Sequence, residues 1–255
     1  MILGIVQGLT EFLPVSSSGH LVIASKILGL RSDIGFDILL HLATLLAVCA
    51  YFAPDIYEII KAFFSNRTMK DPYFKLGIYV IAASIPTAII GFSLKDIFES
   101  MFSSLPAVGM FLIITGILIM LADRFGKTRK GIERLSVVDS LIIGAAQGCA
   151  IAPGLSRSGT TVSTSLLLGL EPELAARFSF LLSIPAIIGS SIFKSKAVFT
   201  GMGHVEFAGF IAAAIFGYLA IWLFIRLIMK KQIKGFAYYC FAVGAMSIIF
   251  GCLVR

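Results

Sequence analysis

Long apolar runs, each about as long as a helix that crosses a membrane, recur from one end of the chain to the other. Spanning the ~30 Å hydrocarbon core of a bilayer takes about 20 predominantly apolar helical residues. Polar residues concentrate in short segments between these runs. We therefore predict six transmembrane helices, over residues 34–52, 73–92, 106–122, 173–193, 206–228 and 236–253.

Two further apolar regions, residues 2–30 and 137–170, are interrupted by clusters of Pro, Gly and Ser. Irregular backbone facing lipid would leave peptide groups without hydrogen-bond partners. We expect each region to form a re-entrant helix-loop-helix hairpin whose loop is buried within protein.

The two interrupted regions are related in sequence. Residues 3–30 laid on 143–170 without gaps match at eleven of 28 positions, whereas roughly two or three would match by chance. Each half, 1–135 and 136–255, then holds one hairpin and three spans of a single membrane domain. Because three is odd, the second half must enter from the opposite side, which predicts an inverted repeat and an anion site where the broken helices meet. The matches are Gly4/Gly144, Gln7/Gln147, Gly8/Gly148, Ser16/Ser156, Ser18/Ser158, Gly19/Gly159, Val22/Val162, Ser25/Ser165, Leu28/Leu168, Gly29/Gly169 and Leu30/Leu170.

Composition excludes a water-soluble domain, since 58% of residues are hydrophobic and only 14% are charged, against about 25% charged in soluble domains. The net charge of +7 does not indicate a nucleic-acid partner, because the basic residues lie in short connecting segments. Twelve Lys and Arg fall on one predicted side and five on the other, which predicts that the first side is cytoplasmic and that both termini lie outside. The twelve are Lys61, Arg67, Lys70, Arg124, Lys127, Arg129, Lys130, Arg134, Arg226, Lys230, Lys231 and Lys234, and the five are Arg31, Lys95, Lys194, Lys196 and Arg255.

The two hairpins differ in their reactive residues. Glu11 aligns with Ile151, Ser17 with Arg157 and His20 with Thr160, which indicates one composite site. An unpaired charge in the membrane costs about 2.5–3.5 kcal/mol, so Glu11 is either a functional acid or a paired structural one. The planar fork of Arg157 suits phosphate oxygens, and an ion pair with Glu11 is the alternative.

Hydroxyl groups cluster near an imidazole in the first loop, where Ser16, Ser17 and Ser18 precede His20. A nucleophile beside an acid or base is one interpretation, and capping of the following helix is the other. Asp37 and His41 are four residues apart on one helical face, a spacing that suits a metal site or a hydrogen-bonded pair.

Two long motifs carry a resemblance to a known family. The first is Gln7-Gly8-Leu9-Thr10-Glu11 followed by Phe12-Leu13-Pro14-Val15-Ser16-Ser17-Ser18-Gly19-His20, and the second is Pro153-Gly154-Leu155-Ser156-Arg157-Ser158-Gly159-Thr160-Thr161. With them the chain resembles, over essentially its whole length, the undecaprenyl-pyrophosphate phosphatases, also called the bacitracin-resistance family. Gln7 departs from the pattern, since other members have Glu there.

The resemblance implies hydrolysis of undecaprenyl pyrophosphate to undecaprenyl phosphate and inorganic phosphate at an outward-facing site in the bacterial inner (plasma) membrane. This reaction recycles the lipid carrier for cell-wall synthesis and confers bacitracin resistance. The resemblance also implies Mg²⁺ or Ca²⁺ as cofactor. Whether Ser17 or water attacks, and whether the chain is a monomer or a homodimer, is left open, and a lipid flippase or transporter of inverted-repeat architecture is the competing function. The expected catalytic residues are Glu11, Ser17, His20 and Arg157, and the expected substrate-binding residues are Gln7, Ser16, Ser18, Ser156, Ser158, Gly159 and Thr161.

Overall fold

The computed structural model describes residues 1–27, 29, 34–65, 67–126, 130–193 and 204–253. Positions 28 and 30 of the first hairpin lie outside these residues, as do six residues of the charge count: Arg31, Lys127, Arg129, Lys194, Lys196 and Arg255. The described chain folds into twelve α-helices: α1 (Ile2–Phe12), α2 (Ser17–Ile27), α3 (Ile34–Tyr51), α4 (Ala53–Phe64), α5 (Pro72–Ser93), α6 (Lys95–Met101), α7 (Leu105–Phe125), α8 (Val137–Cys149), α9 (Arg157–Leu167), α10 (Pro172–Phe193), α11 (His204–Met229) and α12 (Lys234–Leu253).

Five of these helices, α5, α7, α10, α11 and α12, are long and apolar enough to cross a membrane. A sixth span is formed if α3 and α4, which meet at a bend of 75°, are counted as one. The chain is therefore an all-α, multi-pass membrane protein, and the five or six helices agree with the predicted number. α4 differs from the prediction, because residues 53–64 were expected to be loop.

The ends of the spans follow from local chemistry. Asp71 precedes α5, and its carboxylate accepts the N–H groups of Tyr73 and Phe74 at 2.9 and 3.0 Å. The bond from Phe74 is the main cause that holds the pKa of Asp71 below its ordinary value. Pro72 occupies the first helical position, where its missing N–H costs nothing. The Asp71 cap and Pro72 therefore fix the position at which α5 begins.

Glycines set the closest helix contacts. A Cβ atom on Gly4 of α1 would lie 2.2 Å from the carbonyl oxygen of Gly209 in α11. A Cβ on Gly144 of α8 would lie 2.0 Å from the carbonyl oxygen of Ala83 in α5. Small residues allow helix backbones to approach closely in membranes, where packing rather than hydrophobicity drives association. α1 and α8 are thus each held against one long helix.

An aromatic cluster fixes the end of α1. Phe12 is fully buried and meets Phe180 of α10 edge to face, with ring centroids 5.4 Å apart. Phe180 in turn contacts Phe52 and Phe224, at centroid distances of 6.0 and 5.7 Å. Such pairs each contribute about 0.5–1.5 kcal/mol beyond area burial. Because Glu11 directly precedes Phe12, this packing also fixes the position of its carboxylate.

Candidate active site

Two loops, one between α1 and α2 and one between α8 and α9, meet in the interior of the helix assembly. In both loops the serine before the second helix accepts the N–H of the glycine three residues later. Ser16 Oγ accepts from Gly19 at 3.2 Å, and Ser156 Oγ accepts from Gly159 at 3.1 Å. These serines thus cap their helices, because they accept from N–H groups of the first turn that have no partner within the helix.

Glu11 is the centre of a buried polar cluster. Its side chain is 4% exposed, and its two carboxylate oxygens accept from three side chains. Oε2 accepts from Gln7 Nε2 at 2.8 Å and from Ser17 Oγ at 2.5 Å. Oε1 accepts a hydrogen bond from Arg157 Nη2. The structure thus brings together Glu11 and Gln7 of α1 with Ser17 and Arg157, the first residues of α2 and α9.

Arg157 joins the second loop to this cluster. Its guanidinium forms an ion pair with Glu11, the alternative that the sequence left open, and donates to the carbonyl oxygen of Ser183 at 3.4 Å. The Arg157 side chain remains 19% exposed. Its delocalised charge has five donors and can bind two oxygens of one anion side by side. The pair with Glu11 therefore leaves donors for a phosphate.

His41 of α3 also faces Glu11, with its Nε2 3.8 Å from Glu11 Oε2. The other nitrogen of the ring, Nδ1, bonds to the backbone carbonyl of Asp37 at 2.8 Å. The i, i+4 spacing of these residues thus gives a hydrogen bond, in which the acceptor is the backbone of Asp37. It orients the imidazole of His41 toward Glu11.

His20 has different partners from those that the sequence suggested. Its Nδ1 lies 2.8 Å from the carbonyl oxygen of Ser16, and its Nε2 lies 2.7 Å from the hydroxyl of Tyr239 in α12. Ser17, three residues earlier, is bonded to Glu11 instead. The carboxylate, rather than the imidazole, is therefore the group placed to accept the Ser17 proton.

Of the residues predicted to bind substrate, Gln7 lies in α1 and the others lie at the starts of α2 and α9, where Ser16 and Ser156 cap the helices. Ser16 and Ser18 have Oγ atoms 3.3 Å apart, and Ser156 and Ser158 have theirs 3.2 Å apart. Thr161 is fully buried and bonds to the Arg157 carbonyl oxygen at 2.8 Å. A role of these residues and of Gly159 in substrate binding stays a prediction.

Two features of the site were not expected from the sequence. Tyr239 was an ordinary aromatic residue of a predicted span, and only the fold places it beside His20. Gln7 is fully buried, and its Oε1 has no hydrogen-bond partner within the part of the chain that the structure describes. An unpaired buried oxygen next to a carboxylate needs an explanation, and a bound ion is one.

A buried carboxylate, bonded to a half-buried guanidinium and hydroxyl within a bundle of apolar helices, defines a multi-pass membrane protein with a polar site in its interior. The family model described as "Bacitracin resistance protein BacA" matches residues 1–246. The chain belongs to this family.

Curated relatives carry one common name. The undecaprenyl-diphosphatase of Methanobrevibacter smithii is 44% identical, over 96% of this chain and 94% of the relative. Those of Carboxydothermus hydrogenoformans and Halothermothrix orenii are each 42% identical, over 98% and 97% of this chain and 95% of each relative. The likeness extends over nearly the whole length of each protein.

Proposed function

We propose that this chain is an undecaprenyl-diphosphatase of the plasma membrane, which converts undecaprenyl pyrophosphate to undecaprenyl phosphate and inorganic phosphate. The observation that carries the proposal is the contact of Ser17 and Arg157 with one buried carboxylate, that of Glu11. Relatives of this length and similarity bear the name of that activity. The reaction returns the lipid carrier to cell-wall synthesis, and the family description links it to bacitracin resistance.

Substrate binding first requires that the negative charge of the pyrophosphate be neutralised. The pyrophosphate brings several negative charges into an apolar surrounding, where Arg157 supplies the compensating charge and a bidentate set of donors. The prenyl tail stays in the lipid. Phosphoryl transfer needs mainly positioning and charge neutralisation, and both are present in this cluster.

Ser17 is our candidate nucleophile. Its Oγ forms a bond to the terminal phosphorus while the bond from that phosphorus to the bridging oxygen breaks, so undecaprenyl phosphate leaves with the bridging oxygen. The proton of Ser17 passes to Glu11 Oε2, which is 2.5 Å away.

Hydrolysis of the phosphoserine completes the cycle. Water adds to the phosphorus, the bond to Ser17 Oγ breaks, and Oγ takes back its proton from Glu11. His20 takes a proton from the attacking water and gives it to the departing phosphate. Direct attack of water is the alternative, in which Glu11 is the base and Ser17 positions a phosphate oxygen.

A divalent cation, Mg²⁺ or Ca²⁺, fits the donors of this site. Among the described residues no three His, Cys, Asp or Glu side chains are grouped as a metal site. The Glu11 carboxylate, the unpaired Oε1 of Gln7 and the Ser17 hydroxyl are nevertheless oxygen donors, as these cations prefer. When bound, the ion would neutralise charge on the pyrophosphate oxygens. The Nδ1 of His41 bonds to the backbone carbonyl of Asp37, which leaves the Nε2 of His41, 3.8 Å from Glu11 Oε2, as the nitrogen that could bind such an ion.

The inverted repeat and the outward-facing site are part of the same proposal. Equivalent glycines support the repeat, since Gly4 of the first half packs on α11 of the second and Gly144 of the second half packs on α5 of the first. The excess of basic residues on one side supports termini outside the cell. A lipid flippase of this architecture is the competing function, and it requires no bond cleavage.

Phosphate release by purified protein in detergent tests the function. We expect hydrolysis of a C55 pyrophosphate by the wild type and its loss on chelation, with recovery on addition of Mg²⁺ or Ca²⁺. Transport of intact pyrophosphate lipid across vesicles without phosphate release would instead favour the flippase.

Labelling of single cysteines tests the topology in a background without the four native cysteines. A membrane-impermeant thiol reagent added outside should label a cysteine placed at His204, the first residue of α11, but not one at Lys130. The reverse pattern would overturn the proposed orientation.

A further inference from the structure

The two ring nitrogens of His20 have fixed and different roles. Nδ1 faces the carbonyl oxygen of Ser16 at 2.8 Å, and because a carbonyl only accepts, Nδ1 must carry the proton. In the neutral imidazole Nε2 is then the acceptor. It lies 2.7 Å from the Tyr239 hydroxyl, which must donate to it.

Tyr239 is held in place by its own neighbourhood. Its ring is stacked on the His20 imidazole, with centroids 5.6 Å apart and planes 10° from parallel. The next residue, Cys240, is buried and donates from its thiol to the carbonyl oxygen of Pro14 at 3.4 Å. α12 is thus fixed both to the loop before α2, through Pro14, and to His20 in α2, which is 219 positions from Tyr239.

We infer that Tyr239 is a positioning residue for His20, an inference that rests on the proposed hydrolase. The hydroxyl keeps Nε2 as the proton-accepting nitrogen and fixes the plane of the ring. Because Nε2 has one lone pair, the Tyr239 hydroxyl must rotate away before Nε2 takes a proton from water, and it can then accept from the protonated ring, since a phenol is both donor and acceptor. Tyr239 therefore serves both protonation states of the imidazole, which a phenylalanine ring in the same stack would not do.

Tyr239→Phe isolates the hydroxyl, and Tyr238→Phe is its matched control. The two tyrosines are adjacent on α12, and Tyr239 is 45% exposed and Tyr238 60% exposed. We expect Tyr239→Phe to lower kcat about tenfold, as for the loss of one hydrogen bond, with KM within about twofold of the wild type. Tyr238→Phe should stay within about twofold in both constants. In a His20→Asn background, Tyr239→Phe should have no further effect.

The tautomer of His20 gives a measurement that does not depend on activity. The chain has three histidines, so ¹⁵N-histidine spectra in detergent can be assigned with His20→Asn, His41→Asn and His204→Asn. We expect His20 as the Nδ1–H tautomer, with an Nε2 resonance that moves in Tyr239→Phe and not in Tyr238→Phe.

Each result has a separate meaning. A wild type that releases phosphate, with a Tyr239→Phe variant unchanged in kcat and in the Nε2 resonance, would refute the positioning role alone. Additive loss in the double variant would also refute it, because Tyr239 would then act independently of His20. A wild type that releases no phosphate would refute the hydrolase, while a shifted Nε2 resonance would still support the hydrogen bond.

Discussion

Replacing Glu11 by Gln and by Asp separates the charge of its carboxylate from its reach. Glu11→Gln keeps the size of the side chain but removes both the counterion of Arg157 and the proton acceptor of Ser17. Removing one partner of a buried ion pair costs about 3–5 kcal/mol. Because the Arg157 side chain is 19% exposed, we expect a loss of stability at the lower end, about 3 kcal/mol.

Glu11→Asp keeps the negative charge but draws the carboxylate back by one C–C bond, about 1.5 Å. The bond from Ser17 Oγ, now 2.5 Å, would lengthen to about 4 Å, beyond hydrogen-bond range. The guanidinium of Arg157 is long and flexible enough to follow the shortened side chain. We therefore expect Glu11→Asp to stay close to wild type in thermal stability and to lose about 10²–10⁴-fold in kcat, as for loss of a general base.

Phosphate release from a C55 pyrophosphate and thermal unfolding in detergent measure the two effects separately. Glu133→Gln is the control, because Glu133 is an exposed acid outside the cluster. Glu11→Gln should lose both activity and stability, Glu11→Asp activity alone, and Glu133→Gln neither. Turnover of Glu11→Gln within tenfold of the wild type would refute the role of Glu11 as the base.

Three further changes test the nucleophile, the phosphate contact and the helix packing. Arg157→Lys keeps the positive charge but not the planar guanidinium, so we expect kcat to fall about 10²-fold or more. The matched control Arg134→Lys should stay active, and equal activity of the two variants would exclude the bidentate contact. Ser17→Ala should abolish turnover and the phosphoenzyme trapped by acid quench, whereas turnover within tenfold would reassign Ser17 to capping and phosphate binding. Gly144→Ala places a Cβ 2.0 Å from a backbone oxygen and should lower the Tm. In the control Gly189→Ala the new Cβ meets nothing within 4 Å, so the Tm should not change. Equal Tm values for the two variants would contradict this packing.

The spans were predictable because bilayer thickness fixes their length. The predicted run 73–92 corresponds to Pro72–Ser93, and 206–228 to His204–Met229. α4 was missed because Asp55, Glu58 and Lys61 interrupt its apolar residues, and a search for long apolar runs takes such a segment as loop. Its apolar residues instead recur at helical spacing, which predicts an amphipathic helix.

The polar cluster was predictable only in part. Glu11 and Arg157 stood out because charged residues inside apolar segments are costly and need partners, and the structure makes them partners of each other. The partner of His20 could not be found in this way, because Tyr239 lies 219 residues further along the chain and tyrosine is common in membrane helices. The metal role suggested by the spacing of Asp37 and His41 stays a prediction, and the bond that the structure shows between these residues involves the backbone of Asp37.

Positions that are identical in the two loops form the structural scaffold, and positions that differ carry the reactive groups. Ser16 and Ser156, identical in the two segments, make the same capping bond. At the position of Glu11 the second segment has Ile151, which is 39% exposed and has no group that could accept a proton. The second loop therefore cannot form a copy of the cluster. Since Glu11 comes from one half and Arg157 from the other, the proposed reaction needs both halves, and the two loops together form one such site.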